Sequence, residues 1–111
     1  MDATTWDTLD RLVAWLDSES QLSESDERLL RILKVTEEAG EVAQAVLGAT
    51  GQNPRKGTTH TWTDVQHELC DVVFAAMVAL RTLTPDARTV FAERMAYVDQ
   101  RSQQHAGSGQ P

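Results

Sequence analysis

Two pairs of carboxylates stand at helical spacing in this chain. Glu38 and Glu41 are three residues apart, and so are Glu68 and Asp71. On a helix, residues three or four apart share a face, so each pair would project two carboxylates the same way. Both pairs border apolar positions: Val35 and Val42 beside Glu38, Val72 and Ala79 beside Glu68. Four carboxylates gathered beside a core repel one another and are costly to desolvate, so a cation must compensate them. Oxygen-only donors suit a hard ion, Mg²⁺ or Mn²⁺. A di-iron bundle would need Glu-x-x-His pairs, and no Glu here has a His three residues later. The ordinary alternative is a solvated acidic face. Glu24 and Glu27 form such a pair at a helix start, where acids complement the dipole.

Helices must position these groups, and the pattern predicts four of them. The first spans about Thr5 to Asp17, with Trp6, Leu9, Val13 and Leu16 recurring at helical intervals. The second spans about Ser25 to Ala49, with apolar Ile32, Val35, Ala39, Val42 and Val46 and closing Gly48 and Gly51. The third starts at Thr63, where Thr63 to Gln66 reads as a capping box, and ends near Leu83. It is apolar nearly all round after Asp71, which predicts burial on most sides. Thr84-Pro85-Asp86 opens the fourth, with Val90, Phe91, Met95 and Val98 as its apolar positions. No strand is expected. Residues 1–101 read as one helical domain and 102–111, rich in Gln, Gly and Ser, as a disordered tail.

If the second and third helices run antiparallel, the two carboxylate pairs sit at nearly equal distances from the connection between them, differing by about a turn at ~1.5 Å per residue. The Thr50–Thr61 connection is long for a helical hairpin, and long loops are often functional. It carries Asn53, Arg55 and Lys56.

Bulk properties limit the partners. The chain has 111 residues, a net charge of −7 and a pI near 4.8. A general nucleic-acid binder needs a basic face, so none is expected. Phosphorylated small molecules stay open, because divalent cations bridge acidic groups to phosphate. Cys70 is the single cysteine, which excludes an internal disulfide and a zinc cluster and reads as inert. The longest apolar run, Val72 to Leu80, is nine residues, short of a membrane span. Met1 to Asp10 contains no basic residue, so no signal peptide is expected and the expected location is cytoplasmic.

The segment Leu33-Lys34-Val35-Thr36-Glu37-Glu38-Ala39-Gly40-Glu41-Val42, followed by Glu68-Leu69-Cys70-Asp71-Val72-Val73, resembles the MazG-like all-α nucleoside triphosphate pyrophosphatases, with their paired ExxE and ExxD motifs. The resemblance runs from about Arg28 to Leu83. It implies an all-α four-helix bundle completed by dimerisation, as a homodimer or higher homo-oligomer. It implies Mg²⁺ (with Mn²⁺ as a substitute) held by Glu38, Glu41, Glu68 and Asp71, and hydrolysis of a nucleoside triphosphate to monophosphate and pyrophosphate, as in house-cleaning of nucleotide pools. One of those carboxylates would take the proton of the attacking water. Glu37 points about 100° away from the motif face. Lys34, one turn before Glu38, either contacts phosphate or pairs with Glu38. Arg55 and Lys56 either clamp phosphate or serve as solubilising charge. Trp62 either stacks on a base or packs on the core, and Asn53 either bonds a base or shapes a turn. Trp6 and Trp15 read as packing residues. The rival reading is a non-catalytic helical module that binds a nucleotide or a protein.

Overall fold

The computed structural model describes residues 1–108. Among them the chain is all-helical: α1 (Ala3–Glu19), α2 (Glu24–Thr50), α3 (Trp62–Leu83) and α4 (Ala87–Ser108). None of these helices is long and apolar enough to cross a membrane.

Local chemistry sets the helix ends. Asp2 caps α1 by accepting from the Thr5 N–H, and Ser23 caps α2 by accepting from the Asp26 N–H. Glu24, Asp26 and Glu27 then complement the α2 dipole. Gly51 closes α2 at φ 64°, a left-handed conformation that favours glycine. The capping box of α3 lies two residues before the expected one. Thr61 Oγ1 accepts from the Asp64 N–H at 3.1 Å, and Asp64 Oδ2 accepts from the Thr61 N–H at 2.8 Å. A carboxylate at the fourth box position beats the Gln66 amide of the alternative register, because the charged acceptor makes the stronger bond. The Thr61 backbone N–H first, and then its hydroxyl, hold the Asp64 carboxyl below its ordinary pKa.

Helix α4, by contrast, starts late. Thr84 closes α3, its N–H bonded to the Leu80 carbonyl, and its hydroxyl accepts from the Asp86 N–H. Helix α4 continues through Ser108, so residues 102–108, expected in an irregular tail, are helical. An i,i+4 bond from Gln103 to Asp99 supports that stretch. Residues 109–111 lie outside the described ones.

The core is small and local. Trp6, Leu9 and Val13 of α1 meet Met77 and Val78 of α3 and Ala87 of α4, with Leu16, Leu80 and Phe91 packed around them. Trp6 and Phe91 contact in a tilted geometry, centroids 6.2 Å apart. Salt bridges from Arg81 to Asp10 and from Arg88 to Asp7 tie α1 to α3 and α4. Arg31 of α2 is buried and joins three helices, reaching Asp17 at 2.8 Å, Glu27 at 2.9 Å and the Thr82 hydroxyl at 2.9 Å.

Helices α2 and α3 form a long hairpin, with Ala45, Val65 and Ala75 buried along it. The connection folds back onto α2, where the Thr59 N–H donates to the Gly48 carbonyl at 3.0 Å. Gly48 allows this approach: a Cβ there would collide with the His60 ring and the Thr59 hydroxyl. Gly48→Ala is therefore expected to lift the loop off α2 and to cost about 1–3 kcal/mol, the usual price of overpacking. Faster tryptic cleavage after Arg55 and Lys56 would report it. Cleavage unchanged from the parent protein would mean that the loop is not held there.

Much apolar surface stays uncovered. Trp15, expected to pack, is 58% exposed, and Ile32 lies on an exposed face. Helix α3 is not buried on most sides, for Leu69, Val73, Phe74 and Leu83 face solvent. Of the apolar positions expected in α4, only Phe91 packs on the core, while Val90, Met95 and Val98 are exposed. The radius of gyration is 18.1 Å, against about 13 Å for a compact chain of this length. The accessible surface is 8138 Å², about 2000 Å² more than a compact monomer of 12.3 kDa presents.

Candidate metal centre

The antiparallel hairpin brings Glu38 and Glu41 of α2 against Glu68 of α3. One carboxylate oxygen from each lies within 4.8 Å of the other two, and all three residues are half-buried. Glu68 Oε2 is fully buried and has no hydrogen-bond partner. A buried oxygen without a donor costs about 1–3 kcal/mol, more when charged, so the arrangement is incomplete as it stands. Three carboxylates of one sign, one of them with an orphaned oxygen, fit a hard divalent cation.

Asp71 is not in this trio. It is exposed, one turn further along α3, and lines a groove together with Glu38. The spacing of Glu68 and Asp71 fixes the face they share, but three residues are also a rise of about 4.5 Å, which separates them along the axis.

Lys34 Nζ lies 3.1 Å from Glu37 and 3.4 Å from Glu38. These two partners, Glu37 first, raise its pKa. The ammonium thus stays charged at the edge of the carboxylates, and the pairing with Glu38 weighed from the sequence is present. Glu37 itself faces outward and is exposed.

The other expected residues lie apart from the trio. The Asn53 side chain accepts from the Arg55 N–H at 3.0 Å, and its carbonyl accepts from the Lys56 and Gly57 N–H groups. Asn53 is therefore a turn-former. With Lys56, Gln44, Gln52 and His60 it lines a hollow of about 360 Å³ at the C-terminal end of α2. Arg55 is exposed. Trp62 is 58% exposed and lies about 120° around α3 from Glu68, so it neither packs on the core nor adjoins the carboxylates. Cys70 is exposed and free.

Sequence reasoning missed the groove. It has a volume of about 650 Å³ and lies between α1, α2 and α3, with Leu16, Leu30, Phe74 and Val78 as its apolar lining. A signal for it was present: Leu30 is one turn before Lys34, and Phe74 is one turn after Asp71, so both share a side with the chemistry.

Comparisons with protein-family models, curated proteins and solved structures return no match. The functional reading therefore rests on the carboxylate geometry and on the paired motif.

Proposed function

We propose that this chain is a Mg²⁺-dependent nucleoside triphosphate pyrophosphohydrolase of the MazG-like kind, acting in the cytoplasm as a homodimer in nucleotide-pool house-cleaning. The observation that carries the reading is the orphaned Glu68 oxygen inside a trio of carboxylates. An acidic face kept for solubility would turn its oxygens to water. Here one is kept from water and given nothing to bind.

Glu38, Glu41 and Glu68 would hold the ion, with Asp71 beside them at the groove. Bound Mg²⁺ would neutralise triphosphate charge and acidify a water. Asp71 is exposed and makes no hydrogen bond, which leaves it free to take the proton as water attacks the α-phosphorus. The bond from the α-phosphorus to the bridging oxygen then breaks, and pyrophosphate leaves. Lys34 offers a cation to the phosphates at the mouth of the groove, while Arg55 and Lys56, which lie apart from the trio, would reach them only by a movement of the loop. The extra exposed surface supports the dimer, since an obligate interface buries about 1000–2500 Å² per partner.

A panel of ribo- and deoxynucleoside triphosphates, assayed with and without Mg²⁺ for pyrophosphate, tests the reading. At least one substrate should release pyrophosphate only with the metal. Release of orthophosphate alone, or no turnover together with no Mg²⁺ or Mn²⁺ binding by calorimetry, would rule it out.

A further inference from the structure

The hollow at the C-terminal end of α2 differs in charge from the rest of the chain. The chain carries a net charge of −7, yet among the described residues that line the hollow there is no Asp or Glu. Its polar side chains bring donors instead: the Gln44 and Gln52 amides, the Lys56 ammonium and the His60 ring. The two amides and the ammonium make no hydrogen bond or ion pair with the protein.

The acceptors around these donors are already taken. The Leu47 carbonyl accepts from the Gly51 and Gln52 N–H groups and from the Thr50 hydroxyl, and the Gly48 carbonyl accepts from the Thr59 N–H. The negative end of the α2 dipole is thereby capped. Thr59 Oγ1 lies 2.9 Å from His60 Nδ1. When that hydroxyl donates, the ring proton sits on Nε2 and remains a donor. Asp64, whose carboxylate feels the charge of His60, is bonded to the Thr61 N–H. The donors also arrive from two sides, Gln44 from α2 and Gln52, Lys56 and His60 from the connection. They meet because the connection lies on α2 at Gly48. Gly48 follows Glu41 by seven residues, a rise of about 10.5 Å, which sets the hollow apart from the carboxylate trio.

We propose that this hollow is a second, metal-independent site that binds a phosphate-type oxyanion, either orthophosphate or pyrophosphate. Such an ion carries several anionic oxygens and accepts from an ammonium, an imidazole and two amides at once, and charge-assisted bonds are the strong ones. A carboxylate has two oxygens and would leave donors unused. A nucleic acid would meet the negative field of the whole chain, whereas a hollow of about 360 Å³ takes a compact ion away from it. The bound anion would tie the connection to α2 through Lys56. The site stands whether or not the carboxylates serve a hydrolase.

Calorimetry with orthophosphate and with pyrophosphate, each in EDTA at constant ionic strength, tests it. At least one should bind with a Kd of about 1 mM or lower, and the tighter of the two identifies the source. Lys56→Glu and Gln44→Glu, one on each side of the hollow, should each weaken binding by about tenfold or more. Gly48→Ala should abolish it without removing a donor, by lifting the connection off α2. Glu68→Gln should leave it unchanged. The bound anion should also slow tryptic cleavage after Lys56 in the parent chain. No binding of either anion, or an affinity indifferent to both Lys56→Glu and Gln44→Glu, would overturn the proposal. Loss of binding in Glu68→Gln would overturn it too, by placing the anion at the carboxylates.

Discussion

Glu68→Gln will raise the melting temperature of the metal-free protein and abolish its response to Mg²⁺. The three carboxylate oxygens lie within 4.8 Å of one another. At that separation each like-charged pair costs about 3.5 kcal/mol for an effective dielectric of about 20. Half-exposure and salt screen part of this, leaving on the order of 1–2 kcal/mol to be regained when one charge is removed. Glutamine also converts the orphaned Oε2 position into an amide, whose N–H groups can donate to Glu38 or Glu41. The same change removes a donor to the cation. Loss of partners one shell further out typically costs 10–100-fold in metal affinity, so loss of a direct ligand should lower Mg²⁺-dependent pyrophosphate release by about a hundredfold or more. Differential scanning fluorimetry across a Mg²⁺ titration reads both halves. The parent protein should gain stability as the ion saturates it, and the variant should start higher and stay flat. A variant that melts lower without metal, or still climbs with Mg²⁺, would show that the trio is a solvated face.

The carboxylates were legible because helical spacing is a property of single elements. Glu38 and Glu41 could be assigned to one face of α2 from the chain alone, and the length of the connection implied that Glu68 would meet them. Asp71 marks where that reasoning stops: the helix wheel gives direction, while membership of a site a few ångströms across also depends on axial level. The start of α3 turned on a finer choice. Thr61 and Thr63 both head plausible capping boxes, and the carboxylate of Asp64 decides for the first. The groove was illegible for a different reason. Its walls come from three helices, and how α1 crosses the hairpin depends on the Trp6 cluster and on Arg31, whose partners lie far apart in sequence. Leu30 and Phe74 therefore share a side with the chemistry in the sequence without showing that a third helix closes a groove beside them. Trp15 and the exposed face of α3 were misjudged because apolar residues announce burial without naming what buries them.

Leu33→Glu is expected to turn a dimer into a poorly stable monomer, and the reason lies on the back of α2. Leu29, Leu33, Thr36, Gly40, Ala43 and Leu47 follow one another at intervals of four and three, which winds a straight seam along a helix. All six are exposed, Leu29 and Leu33 at 62%. The seam faces away from the carboxylates, so its apolar character serves neither the trio nor the hairpin. Its middle is small, and a Cβ at Gly40 would meet nothing within 4 Å, which leaves room for another helix to come close. Trp62, Leu69, Val73, Ala76 and Leu83 form a second exposed stripe on α3. A monomer that leaves two such seams in water carries patches larger than soluble chains normally tolerate. A second copy would cover them, and the roughly 2000 Å² of surplus surface is of the size that an obligate dimer removes. Placing a carboxylate at position 33 would bury an unpaired charge at the centre of that contact, at a cost of about 3 kcal/mol or more. Light scattering should find twice the 12.3 kDa chain mass, or a higher even multiple, for the parent protein and the single chain for the variant. The melting temperature of the parent should also rise with protein concentration, and that dependence should vanish in the variant. Gln103→Glu adds the same charge on α4, away from both stripes, and should leave the assembly intact. If Leu33→Glu assembles as the parent does, the seam on α2 lies outside the interface, and the α3 stripe becomes the surface that a second copy must cover.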